Sequence, residues 1–153
     1  PFEFRRPPFG SQPLLLGPGA EEIILRVETR VLRIAVLGHV CLKGGYPSEE
    51  PKRPGDHASE YEFAFEDGTE IQPLLHGVHV LRGNNICRWW RTAPRAPETL
   101  PALEIELHPA YEILRVDLWE KQWPAARLLN QIRWRLKDPA SIQALWAVSV
   151  SEG

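Results

Sequence analysis

His76 and His79 have the His-x-x-His spacing of a metal-ligand pair, and His39, His57 and His108 complete the set of five histidines. Zinc takes three or four ligands fixed by neighbouring elements and steadied by outer hydrogen bonds. Gly77 inside the pair suits a turn better than a ligand helix, and no His-Glu-x-x-His pattern accompanies it. The histidines are therefore not read as a metal centre, and no cofactor is expected. Glu104 and Glu106 stand two apart on an alternating segment and would share one side of a strand, as paired glycosidase carboxylates might. A retaining pair needs carboxyls about 5–5.5 Å apart with one pKa raised. Alternation with Leu103, Ile105 and Leu107 is sufficiently explained by a solvated strand face. No Gly-x-Ser-x-Gly motif, phosphate loop or Cys/His nucleophile pattern occurs, so no catalytic residue is assigned.

Donors, acceptors and aromatics concentrate between His76 and Trp90. Asn84 and Asn85 can donate to and accept from sugar hydroxyls, Arg88 is a donor-only fork, and Trp89 or Trp90 can supply a stacking face. A weakly bound ligand would sit here. The competing reading has Asn84 and Asn85 hold a left-handed turn while both tryptophans pack inward. Six tryptophans in 153 residues sharpen the choice. Sugar-binding modules expose such rings, whereas small sandwiches bury them. Trp134 alternates with Ile132 and Leu136 and reads as core, while Trp119 and Trp123 flank a charged turn and suit either place.

The elements that must position these residues are strands. Tyr61, Phe63 and Phe65 alternate with Glu62, Ala64 and Glu66, a period of two with aromatics on one face. Asp67-Gly68 marks a tight hairpin, because both residues tolerate φ > 0. Pro73 in the return strand cannot donate to a ladder and belongs at an edge or a bulge. Residues 23–27, 31–40, 103–107, 113–119, 132–136 and 145–150 carry further strand patterns, and residues 125–131 read as a helical turn. The polar stretch 43–59 reads as a surface loop. Eight to ten short strands imply an all-β antiparallel jelly-roll sandwich of two sheets. The expected core includes Ile24, Val36, Phe63, Phe65, Ile105, Leu107, Val116, Ile132, Trp134 and Val148.

Length fits one domain spanning residues 1–153, and 43% hydrophobic with 25% charged residues is ordinary for a globular chain. A net charge of -2 supplies no electrostatic case for nucleic acid. No window reaches the ~20 apolar residues of a membrane span. Cys41 and Cys87 read as two buried thiols, with a single disulfide as the alternative. The sequence contains no methionine and begins at Pro1, which reads as a processed chain or a module of a larger protein.

From Tyr61 onward the chain resembles a bacterial galactose-binding-like jelly-roll domain found alone or fused to glycoside hydrolases. The matching pieces are Phe65-Glu66-Asp67-Gly68, Pro73-Leu74 and Gly83-Asn84-Asn85-Ile86-Cys87-Arg88-Trp89-Trp90. The segments 119–124, 132–136 and 147–150 look like the group's later strands. Arg88 replaces an acidic residue that often precedes the tryptophan pair, Lys121-Gln122-Trp123-Pro124 replaces an Asn-Pro turn, and residues 75–81 look like an insertion. The likeness covers roughly the last 90 residues well. It implies a galactose-binding-like fold, a carbohydrate context and a periplasmic or extracellular location, and it transfers no catalytic residue.

The expectation is a non-catalytic carbohydrate-binding module accessory to a glycan-active or cell-surface protein. The alternative is a structural or interaction module that packs against a partner domain. A contiguous apolar patch would favour the partner, and one or two flat aromatics beside polar groups would favour the sugar.

Overall fold

A computed structural model describes residues 3–4, 14–43, 55–76, 79–82, 88–90, 96–108 and 112–152, with side chains described outside 3–4, 39–43, 81–82, 88–90, 107–108 and 112–115. Among these residues the secondary structure is all β, without a helix. The strands are β1 (Glu3–Phe4), β2 (Leu14–Leu16), β3 (Glu22–Lys43), β4 (His57–Phe65), β5 (Gly68–Leu75), β6 (Leu81–Arg82), β7 (Arg88–Trp90), β8 (Thr99–His108), β9 (Glu112–Leu136) and β10 (Ile142–Ser151). They form one 10-stranded sheet with the path β1-β10-β3-β9-β4-β5, while β2 joins β10, β6 joins β3, and β7 and β8 join β9. Every ladder is antiparallel except the short β3–β6 pairing.

Two separate sheets were expected, and one sheet folded over itself is found. The device is the pair of long strands, β3 with 22 residues and β9 with 25. Their ladder breaks register between Arg26 and Thr29, where Glu28 has φ 51°, and again between Val31 and Arg33. At the second break the partners jump from Arg127 to Gln122, so residues 123–126 of β9 lie opposite Leu32 alone. Pro124 falls in that bulge, where its missing N–H costs no ladder bond. Arg30 Nη2 donates to Ala126 O at 2.7 Å and steadies the bend. The outcome is a β-sandwich-like body. One layer holds β5, β4 and the facing halves of β9 and β3, and the other holds β8, β10 and the remaining halves.

The core lies between the layers. Tyr61, Phe63 and Phe65 of β4 are buried as their alternation predicts, against Leu129, Ile132 and Trp134 of β9. Trp119 and Trp123 come from the other half of β9. Trp123 meets Phe63 and Phe65 edge-on at 5.4 and 5.1 Å, and Trp119 lies 6.0 Å from Tyr61. Val36, Ile34 and Leu145 close the floor. Pro73 sits on β5, the last strand on its side of the path.

Several expectations are corrected. Ile24 and Ile105 are 48% and 47% exposed, because they lie on the outward side of their strands. Val116 is only half-buried, Val148 is half-buried but packs against the core, and the Leu107 side chain lies outside the described residues. Residues 125–131 are strand, since flanking ladders to β3 and β4 satisfy their backbone and override local preference. The hairpin pairs Phe65 with Gly68, so Glu66 and Asp67 make the turn, and Glu28 is the one non-glycine with positive φ among the described residues. Gly68 follows at φ 147°. The polar stretch gives way to β4 already at His57.

Candidate functional site

Sequence reading places a ligand at Asn84, Asn85, Arg88, Trp89 and Trp90. Asn84 and Asn85 lie outside the described residues, as does Cys87. Arg88, Trp89 and Trp90 form β7 and pair with Leu114, Ile113 and Glu112, so their backbone belongs to the edge of the β9 ladder. The His-x-x-His pair does not converge. His76 Nε2 meets Asp138 Oδ2 at 3.0 Å, whereas His79 Nε2 meets Glu98 Oε1 at 2.9 Å. Among the described residues no three His, Cys, Asp or Glu side chains gather as a metal set. Glu104 and Glu106 are exposed on β8, in register with Arg115 and Ile113.

Three residue types that suggest nucleophilic catalysis meet in the interior. Trp134 Nε1 donates to Ser59 Oγ at 3.1 Å, and Ser59 Oγ donates to Gln143 Oε1 at 2.6 Å. Gln143 Nε2 donates to Ser141 Oγ and to Ala58 O, each at 2.9 Å. Ser141 Oγ donates to Asp138 O at 3.0 Å, and Asp138 reaches His76. Serine, histidine and aspartate are thus present, but Ser59 is held by Gln143 and Trp134, and Ser59, Ser141, Gln143 and His76 are all fully buried. A nucleophile needs its base within hydrogen-bond reach and a path for substrate. This arrangement instead satisfies polar groups inside the core and pins β4 to β10 and the 138–141 turn.

The outer side of the layer containing β8 has a different character. Register places Leu100 opposite Leu118, Leu118 opposite Leu37, and Leu37 opposite Ala147. Directly opposed residues share a face, so these four apolar side chains form one row across β8, β9, β3 and β10. Leu100 is 53% exposed, and the other three are half-buried. Leu103 and Val116, also in register, extend the row along β8 and β9. At the β10 end, Trp146 is 37% exposed and its ring lies against Gly38. A Cβ on Gly38 would come within 2.5 Å of Trp146 Cδ1, and Gly38 has φ +70°. Only glycine lets the indole lie so close in that conformation.

Beside the row is a shallow groove of about 380 Å³ lined by Arg33, Pro97, Glu98, Leu100, Glu120 and Gln122. Arg33 Nη2 bonds Glu120 Oε1 at 2.5 Å. Leu75 N donates to His79 Nδ1 at 3.2 Å, which leaves the ring proton on Nε2 to be donated to Glu98 Oε1. Trp119 Nε1 reaches the same oxygen at 3.3 Å. Burial works to raise the Glu98 pKa, but bonds from a backbone N–H, His79 and Trp119 outweigh it and hold the carboxyl below its usual value. Among the described residues the opposite layer shows no such unbroken apolar row, and its exposed Ile24 and Ile71 are separated by Arg133 and Glu62. Its outer side carries Glu22, Glu62 and Glu60 cross-paired with Arg133, Arg135 and Lys137.

Comparison with protein-family models, curated proteins and solved structures finds no match to this chain. The resemblance to galactose-binding-like domains rests on its quoted motifs alone. Sequence reading missed both the apolar row and the groove. Leu37, Leu100 and Leu118 come from three different strands, and nothing local says that they line up. One signal was present, since strands patterned for two buried faces supply apolar residues on the outside as well.

Proposed function

We propose that the chain is a non-catalytic module that packs against a partner protein or domain through the outer face of β8, β9, β3 and β10. The observation that carries this reading is the row Leu100–Leu118–Leu37–Ala147, which sets apolar side chains outward on four adjacent strands. The other layer answers solvent with a ladder of ion pairs, so the contrast is one of chemistry between two faces of one body. The partner's complementary face is apolar with a basic margin, because among the described residues Glu98 and Glu120 border the row with one guanidinium, that of Arg33, beside them. Trp119, Trp123 and Trp134 are committed to the core and supply no stacking platform.

Immobilised protein tests this reading when compared with Leu118→Lys and Ile71→Lys. Ile71 is 59% exposed on β5 and serves as the control face. A protein from the source cell retained by the unaltered chain and by Ile71→Lys, but released by Leu118→Lys, is the expected result. Equal retention by all three, or none by any, overturns it.

A second reading, weak carbohydrate binding in a galactose-binding-like jelly roll, is supported by the quoted motifs and by Trp146, whose partly exposed indole rests on Gly38. Sugars stack on such rings, and a shallow site binds them weakly. Tryptophan fluorescence titrated with mono- and oligosaccharides checks it. A response abolished in Trp146→Ala would favour the sugar, and no response at millimolar concentration would remove it.

A further inference from the structure

We infer that the groove between Glu98 and Glu120 receives a lysine or arginine side chain of the partner that covers the Leu100–Leu118–Leu37 row. This inference rests on the docking reading above and names the chemistry of the partner's contact residue.

The argument begins with charge. Among the described residues the groove brings two carboxylates and one guanidinium together, an anionic excess that faces whatever covers the row. The side-chain bonds to each carboxylate fall on one oxygen. Glu98 Oε1 is taken by His79 and Trp119, and Glu120 Oε1 by Arg33. A backbone N–H also holds the Glu98 carboxyl, but among the described residues no side-chain hydrogen bond reaches Oε2 of either glutamate, which leaves each able to accept from a cationic head at the rim. The supports are themselves fixed, since Trp119 is buried and His79 is anchored by Leu75 N. Glu120 N also donates to Glu98 O at 3.0 Å, which ties the residue just before β8 to β9.

The remaining lining decides what kind of cation fits. Among the described residues no three His, Cys, Asp or Glu side chains gather as a metal set, and the Arg33 guanidinium already occupies Glu120. Pro97 and Leu100 instead present exposed apolar surface beside the acceptors. Lysine and arginine match this pairing, because an alkyl stem lies along apolar surface while the charged head reaches a carboxylate. Leu100 belongs both to the groove and to the apolar row, so a stem seated here continues the contact made over Leu118 and Leu37.

Amide chemical shifts of the ¹⁵N-labelled chain, followed during titration with hexylguanidinium, hexylammonium, hexanol and hexyl sulfate, test the inference. The two cations are expected to shift the amides of Leu100, Glu120 and Gln122 and to bind roughly fivefold more tightly than hexanol, a modest gain for exposed charges. Glu120→Gln and, separately, Glu98→Gln should each reduce that advantage, with retained dispersion of the remaining amides showing that the fold persists. If hexanol or hexyl sulfate binds as tightly as the cations while Leu37 and Leu118 still respond, the groove does not select a cation and the docking face alone survives. If no probe shifts either group of amides, the inference and the docking face both fail.

Discussion

Trp119 and Trp134 belong to the same strand, yet both stand against the ring of Tyr61, at centroid separations of 6.0 and 6.2 Å. Trp134 reaches Tyr61 as its ladder neighbour, while Trp119 reaches it across the core. The bulge at residues 123–126 makes this possible by turning β9 from one layer into the other. Burial of Tyr61 between the layers also drives its hydroxyl pKa well above the ordinary value.

Trp119→Ala should cost about 3–5 kcal/mol, the range for deleting a large buried aromatic. Urea unfolding followed by far-UV dichroism measures it. A loss below about 1 kcal/mol would mean that the two halves of β9 do not share one core.

Gly38→Ala should destabilise the chain by about 1–3 kcal/mol, from a close contact and a positive φ together. Adding Trp146→Ala removes the contact but leaves the backbone cost. The double variant should therefore be less impaired than the sum of the two singles predicts, and strict additivity in thermal unfolding would contradict the contact.

Ser59→Ala strips a partner from both Gln143 Oε1 and Trp134 Nε1 inside the core. The expected loss is about 1–3 kcal/mol, the cost of leaving buried polar groups unsatisfied. Chemical denaturation provides the measurement, and an unchanged midpoint would show that the network does not hold β4 to β10.

Arg127 clamps the hairpin. It bonds both carboxylate oxygens of Asp67, bonds Glu70, and lies 3.9 Å over the Phe65 ring. The hydrogen bonds from Arg127 hold Asp67 below its usual pKa. For Glu70, burial works upward but is outweighed by bonds from Trp123 and Arg127. A carboxylate depressed in the folded state stabilises the fold above its unfolded pKa of about 4, and that contribution disappears as pH falls through the folded value. Stability should therefore fall with acid more steeply in the unaltered chain than in Arg127→Gln. Denaturation at a series of pH values between about 2 and 7 checks this, and parallel curves would contradict it.

Leu118→Lys should raise solubility with little change in stability, because the side chain is half-buried on an outward face and lysine can extend its head into water. A large drop in thermal midpoint would move Leu118 from the surface into the core.

Local pattern carried the parts of the fold that depend on alternation. The aromatics of β4 turned inward and Pro73 took a strand at the end of the path, since a period of two or a missing N–H acts within a few residues. The same rule misplaced Ile24 and Ile105, which alternate correctly but lie on the side that the layers leave outside. Choosing between the two sides of a strand needs the neighbour that covers one of them. The buried Ser59–Gln143 bond joins residues 84 positions apart, and no local preference encodes it.

The sequence by itself determined that this chain is made of strands, that an aromatic hairpin turns within a residue of Asp67, and which β4 residues seek the core. Those outcomes follow from side-chain alternation and the backbone freedom of single residues. Only the tertiary structure decided that one sheet folds over itself, that Trp119 and Trp123 are interior, and that Leu37, Leu100 and Leu118 line up beside Glu98 and Glu120. The physical reason is register. A shift of one residue between strands moves every side chain to the opposite face, and register is set by bulges and by what packs across the core.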